Sequence, residues 1–209
     1  MPELRLSLFQ DTLCPDQVLK LDGPHAALWP LSGQVSRDGE QLSNQTGHLL
    51  TGPVSVKAGP EGSSMIRFGV GKRETGIYEG SQLVSSEIVV PSSSRLLLRL
   101  DKVSFPAGAT AWRHVHPGPG FRHLIKGCLR LEADDHTREV LTGDSWFEAA
   151  NSPVRATASE NYTETAFIRF LLLPLEYAGK RTIHILSDED RNRERRQTTT
   201  TYFDEPVDL

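Results

Sequence analysis

Gly108-Ala-Thr-Ala-Trp112-Arg-His114-Val-His116-Pro-Gly-Pro-Gly120-Phe-Arg122-His123-Leu-Ile-Lys-Gly127 is the stretch on which the reading of this chain turns. Two runs of strand-forming residues flank a Pro-Gly-Pro-Gly turn, so the segment is expected to form two strands that reverse at residues 117–120. Residues two apart on a strand face the same side. His114 and His116 are therefore expected to aim their imidazoles into one space, about 7 Å apart at the backbone. Two imidazoles so placed can bind one divalent metal.

The same period of two continues outward, as in Leu4, Leu6 and Leu8 and again in Leu129 and Leu131. Turn clusters at 23–24, 38–39 and 59–62 interrupt it at short intervals, a cadence that favours a sandwich or barrel. The chain also repeats itself. Leu31-Ser-Gly33, Gly47, Pro53-Val54 and Ile66-Arg-Phe68 return in order as Ile125-Lys-Gly127, Gly143, Pro153-Val154 and Ile168-Arg-Phe170. The offsets drift only upward, as loop insertions between equivalent strands would produce. Residues 1–72 and 95–186 are then two β-domains and 73–94 is their connection, with a possible strand of its own over Leu83 to Val90. In the tail, 187–209, the charge run after Ser187 predicts a short solvated helix, and Thr198 to Phe203 a terminal edge strand.

A length of 209 residues accommodates two domains of about 100 residues each. The mean hydropathy of -0.36 and the hydrophobic fraction of 37% fit a water-soluble globule. A net charge of -4 supplies no basic field to collect nucleic acid or anionic lipid, so those partners are set aside. Glu3, Arg5 and Asp11 interrupt the apolar N-terminal positions, and no run approaches the length of a membrane span. The two cysteines, Cys14 and Cys128, are too few for a disulfide scaffold, and reduced thiols in a cytoplasm are expected.

Gly108, His114, His116 and Gly127 fall at the fixed positions of G-x5-H-x-H-x3-E-x6-G, so the stretch resembles the first motif of the cupin superfamily. The second motif, G-x5-P-x-G-x2-H, is matched only by Gly143. The resemblance implies an all-β fold of two cupin-type double-stranded β-helix (jelly-roll) barrels in tandem, a bicupin, with few short helices. It also implies a homodimer with strands exchanged or added at the edges, for which Thr198 to Phe203 is the candidate. Cupin metal sites normally take three histidines and a glutamate. Here Gly120 stands in the glutamate position and Val154 in that of the third histidine, which leaves a degenerate two-histidine half-site. At the equivalent spacing the first repeat offers Lys20 and Asp22, so that barrel is expected to be metal-free.

His114 and His116 thus have three readings: ligands to a weakly held iron, manganese, nickel or zinc ion, metal-free groups that bind or protonate a ligand, or structural residues. Arg122 lies two residues beyond the glutamate position and is expected to face the same interior, where it needs a carboxylate or phosphate. An anionic ligand and an internal bridge to an acid such as Glu148 both satisfy that need. Trp112 is expected to look inward beside the histidines, as core packing or as a stacking platform. Alternation turns His123 to the opposite face. The function expected is binding of a small anionic metabolite in the C-terminal barrel, at His114, His116, Arg122 and Trp112. A metal-dependent dioxygenase or isomerase and a non-catalytic interaction protein are the alternatives.

Overall fold

The structure is a computed structural model that describes residues 3–23, 25–72, 81–89 and 95–208. Most of the expected connection, 73–80 and 90–94, lies outside the described residues. The chain divides into two compact units, Met1–Arg95 with Val207–Leu209, and Leu96–Pro206.

The first unit contains β1 (Glu3–Leu13), β2 (Val18–Leu21), β3 (His25–Arg37), β4 (Glu40–Leu42), β5 (His48–Thr51), β6 (Val54–Lys72) and β7 (Ser81–Val89). They form one seven-stranded sheet of order β4-β3-β6-β1-β7, with β2 on β6 and β5 on β3. The second unit contains β8 (Leu96–Pro106), β9 (Thr110–Val115), β10 (Gly120–Lys126), β11 (Cys128–Ala133), β12 (Thr137–Leu141), β13 (Ser145–Glu148), β14 (Val154–Ala158) and β15 (Glu164–Pro174). It ends in β16 (His184–Ile185), the one-turn helix α1 (Asp188–Arg191) and β17 (Thr198–Val207). These strands make two five-stranded sheets, β13-β10-β15-β8-β17 and β12-β11-β14-β9-β16.

One pairing scheme runs through both units. β10 pairs β15 and β13, as the first part of β3 pairs the last part of β6 and β5. β11 pairs β12 and β14, as the end of β3 pairs β4 and the start of β6. β8 joins β15 as β1 joins β6, and β9 joins β14 as β2 joins β6. The repeat glycines mark where the chain bends in each unit. Gly33 sits at φ +74° and Gly127 at φ +83°, both in the left-handed region that glycine alone enters cheaply. Each also presses its α-carbon on the opposite strand: a Cβ on Gly33 would stand 2.2 Å from the Gly62 carbonyl oxygen, and one on Gly127 2.4 Å from Thr165 Oγ1.

The interiors differ. In β2 the inward residues are Leu19 and Leu21, which join Leu28, Val56 and Met65 in an apolar core, while Lys20 and Asp22 are exposed. In the second unit Phe105, Leu124, Leu129, Trp146 and Phe167 fill one end of the space between the sheets. Its other end holds charged residues. The tail folds as the charge pattern suggests, though the helix is one turn long; Ser187 Oγ accepts from the Asp190 backbone N–H at 3.0 Å. Among the described residues no helix is long and apolar enough to cross a membrane.

The two kinds of positive-φ glycine should respond differently to a methyl group. Gly127→Ala meets both strain and a backbone collision, and is expected to cost about 2–4 kcal/mol in urea unfolding. Gly143→Ala, at φ +100° with nothing within 4 Å, is expected to cost about 1 kcal/mol.

Candidate functional site

Between the two sheets of the second unit lies a cavity of about 750 Å³. Val103, Phe105, Trp146, Val154 and Phe167 line its apolar end, and Asp101, His114, His116, Arg122, Glu148 and Arg169 its polar end. Residues 179–183 and alternate residues of the tail, including Arg195, Gln197 and Thr199, form its remaining wall.

β9 does not alternate evenly. Val154 lies opposite His114 and Ala156 opposite Ala111, so Trp112 and Arg113 together face Arg155 alone. This two-against-one bulge reverses the parity. Ala111 and His114 both line the cavity, whereas Trp112 does not. The expectation of an inward Trp112 is thereby corrected. Its indole N–H donates to the Glu194 carbonyl at 3.0 Å, and its ring packs on the guanidinium of Arg193 at 4.4 Å, with that of Arg155 at 5.2 Å. Trp112 holds the tail against the sheet.

His114 and His116 do converge, with their Nε2 atoms 3.2 Å apart. Nδ1 of His114 lies 2.7 Å from the Trp112 carbonyl, and Nδ1 of His116 lies 2.9 Å from the Thr182 carbonyl. A carbonyl oxygen only accepts, so each Nδ1 carries the ring proton and each neutral ring presents a bare lone pair at Nε2.

Three arginines on the cavity wall are each met by an acid. Arg169 donates to both oxygens of Asp101, at 2.8 and 2.7 Å, and turns its remaining nitrogen, Nη1, toward His116 Nε2 at 3.4 Å. Arg99 makes the same two-pronged contact with Asp204, at 2.7 and 2.8 Å. Arg122, fully buried, stands 2.7 Å from Glu148 and donates to the Gly120 carbonyl, also at 2.7 Å. Of the two ways to satisfy Arg122, the internal bridge is the one formed. His123 points to the other face of β10 and bonds Ser145 Oγ at 2.8 Å. Asp101, Arg169 and Thr182 were not singled out from the sequence as site residues. The signal for Arg169 was the repeated Ile-Arg-Phe, an arginine inside an apolar strand that demands a buried acid. Its counterpart Arg67 meets that demand with Asp11, at 2.6 and 3.0 Å.

No family model matches the chain and no curated protein is significantly similar to it. Solved structures do resemble it. A cupin 2 conserved barrel domain protein from Leptotrichia buccalis is 18% identical over 82% of this chain and 85% of its own, with a TM-score of 0.52. A salicylate 1,2-dioxygenase from Pseudaminobacter salicylatoxidans is 10% identical over 79% and 70%, with a TM-score of 0.57. A deletion mutant of the Bacillus subtilis oxalate decarboxylase OxdC is 12% identical over 83% and 72%, with a TM-score of 0.55. The fold is that of the cupins.

On a cupin fold the motif positions say whether a metal fits. Two nitrogens bound side by side to one ion at about 2.1 Å stand roughly 3.0–3.4 Å apart, so the Nε2 separation suits half a coordination shell. The other half is filled with groups that cannot ligate. Val154, in the third histidine's position, pairs directly across from His114 and is apolar. At Gly120, in the glutamate's position, a Cβ would lie 2.1 Å from the Phe170 carbonyl oxygen, so the backbone leaves no room for a side chain. Arg169 Nη1 approaches the lone pair that a metal would need. Among the described residues no three His, Cys, Asp or Glu side chains converge as a metal site. The residues do not fit a resident ion of the kind the full motif holds.

Charge follows from this packing. Burial lowers the pKa of His114, against the pull of Glu148. His116 is lowered well below 6.5, by burial first and then by Arg169 and Arg122. Burial brings Arg122 down to about 10, with Glu148 opposing, so it stays charged at neutral pH. Burial also takes His123 from 6.5 to about 4.

Two predictions follow from these positions. The unfolded chain protonates its histidines near 6.5 whereas the folded chain resists, so stability present above that pH is lost as pH falls toward 4. For His123 alone the difference amounts to about 3 kcal/mol. Urea midpoints should fall between pH 7.5 and 5, and less so in His123→Asn; a pH-independent midpoint would contradict buried neutral imidazoles. Gly120→Glu, which restores the motif on paper, is expected to lower the melting temperature by several degrees and to add no metal affinity by calorimetry.

Proposed function

We propose that the cavity of the second unit binds a small anionic metabolite, carboxylated or phosphorylated. The observation that carries this reading is an excess of positive charge on the cavity wall. Six basic side chains line it against three acidic ones, and each acid is taken by an arginine. Lys180, Arg181 and Arg195 are left over; all three are exposed, and none is ion-paired among the described residues. A cavity of about 750 Å³ with an apolar inner end and cationic rim is the right size and polarity for an organic anion. The matching pairing scheme of the two units supports a bicupin whose first barrel, with leucines at the inward positions of β2, is the degenerate partner.

A metal-dependent cupin enzyme is the second reading. The 3.2 Å spacing of the Nε2 atoms favours it, as does likeness in fold to a salicylate 1,2-dioxygenase and an oxalate decarboxylase. On that reading a chelating substrate would complete the shell that two histidines begin.

Thermal-shift titration distinguishes the readings. Carboxylates or phosphates at millimolar concentration are expected to raise the melting temperature by a few degrees without added metal, and their uncharged amide or alcohol analogues are not. The double variant Arg181→Gln, Arg195→Gln should weaken that binding roughly tenfold. If no anion in the panel moves the melting temperature, the binding reading is wrong. Stoichiometric metal in the purified protein, lost in His116→Ala, would replace it with the enzyme reading.

A further inference from the structure

The wall that residues 179–183 give the cavity is one chain thick. Gly179, Lys180 and Arg181 line the cavity and are also exposed to solvent, so a single backbone separates the two at that point. Little apolar burial holds it there. Of residues 178–184, Thr182 alone is buried. Strand pairing is equally slight, since β16 sets only His184 and Ile185 against β9.

Side chains of the cavity wall do the holding instead. Arg99, bound through Nε and Nη2 to Asp204, also donates from Nη1 to the Lys180 carbonyl and from Nη2 to the Tyr177 carbonyl, both at 2.8 Å. Asp204 in turn accepts from the Gly179 backbone N–H at 2.6 Å. One ion pair between β8 and β17 therefore fixes the backbone of Tyr177, Gly179 and Lys180 together. His116 takes a further group, the Thr182 carbonyl, at 2.9 Å. A segment held by a few polar contacts and little apolar area opens at lower free energy than the sheets around it. Gly179, at φ +68° with nothing within 4 Å of a Cβ placed on it, supplies a pivot.

We infer that residues 178–184 are a hinged strap across the mouth of the cavity, latched by the Arg99–Asp204 ion pair, whose opening admits ligand to His114 and His116. Breaking the latch frees Tyr177, Gly179 and Lys180 at once, because they share it. Closure sets the Thr182 carbonyl against His116 Nδ1 and so fixes which ring nitrogen carries the proton; opening removes that constraint. The imidazole is thus set for a ligand only when the strap is shut. This deepens the binding reading by giving the cavity an entrance, and its test uses no anion, so it can fail while that reading stands.

Diethyl pyrocarbonate acylates the unprotonated nitrogen of a neutral imidazole, and peptide mass spectrometry reads the rate at each histidine of the full chain at pH 7. In the unaltered protein the His114–His116 pair is expected to react about tenfold or more slowly than exposed His136. Asp204→Ala should speed the pair about tenfold. His123, only 3% exposed and on the other face of β10, should keep its rate. The inference is overturned if the pair reacts as fast as His136 in the unaltered protein, since the mouth then stands open without the strap. It is equally overturned if Asp204→Ala leaves the pair unchanged, or speeds His123 as much, which would make the ion pair a general support. If Asp204→Ala fails to fold, amide hydrogen exchange on the unaltered protein decides. The Gly179 N–H, and that of Leu186, which donates to the Arg113 carbonyl at 3.1 Å, should then exchange about a hundredfold faster than the amides of β15. Exchange at the β15 rate would mean that the segment opens only with the whole unit, and would overturn the strap.

Discussion

A guanidinium enclosed by two β-sheets must be met by a carboxylate in its own plane, because an unmatched charge there costs several kcal/mol. Asp101 meets Arg169 in this way, and the polar end of the cavity depends on that contact. With two of its nitrogens engaged, Arg169 stays charged and can turn the third toward His116. His116 spends its other nitrogen on the Thr182 carbonyl, so the ring is held from both sides. Its orientation in turn places a lone pair against that of His114. Arg122 repeats the logic with Glu148, and Arg99 with Asp204.

The two units show what one strand scheme does with two interiors. In both, a glycine at positive φ bends the long strand, and an arginine of the last long strand finds a buried aspartate. The acids are not equivalent in register: Arg169 pairs across from Asp101 itself, whereas Arg67 pairs across from Phe9 and reaches Asp11 two residues along. Leucines take the inward β2 positions of the first unit. In the second, imidazoles and ion pairs replace them, and polar groups that must keep specific partners cannot collapse into the space as aliphatic chains do. A cavity persists where packing would otherwise fill it.

The bulge in β9 has the largest consequence for function. It takes Trp112 out of the cavity and turns it into an anchor for residues 193–194, so the tail that follows can supply Arg195 and Gln197 to the cavity wall. A ligand in this cavity would therefore be surrounded partly by a segment that belongs to neither motif.

Much of this was legible in the residues. Period-two alternation, glycine-marked turns and the internal repeat determine an all-β chain with two similar halves, because strand faces and turn conformations are local properties. The spacing of His114 and His116 determined their convergence, and that of His123 its exclusion, for the same reason. Tertiary structure alone decided the rest. Whether Arg122 met a ligand or Glu148 depended on how β13 registers against β10. The inward or outward sense of Trp112 depended on a bulge that pairing with β14 creates and that no composition signals. Asp101 came to Arg169, and Thr182 to His116, from a strand and a loop outside the motif. Alternation tells a side chain which face it takes, but its partner on that face is chosen by register, and register is settled only when the sheets close.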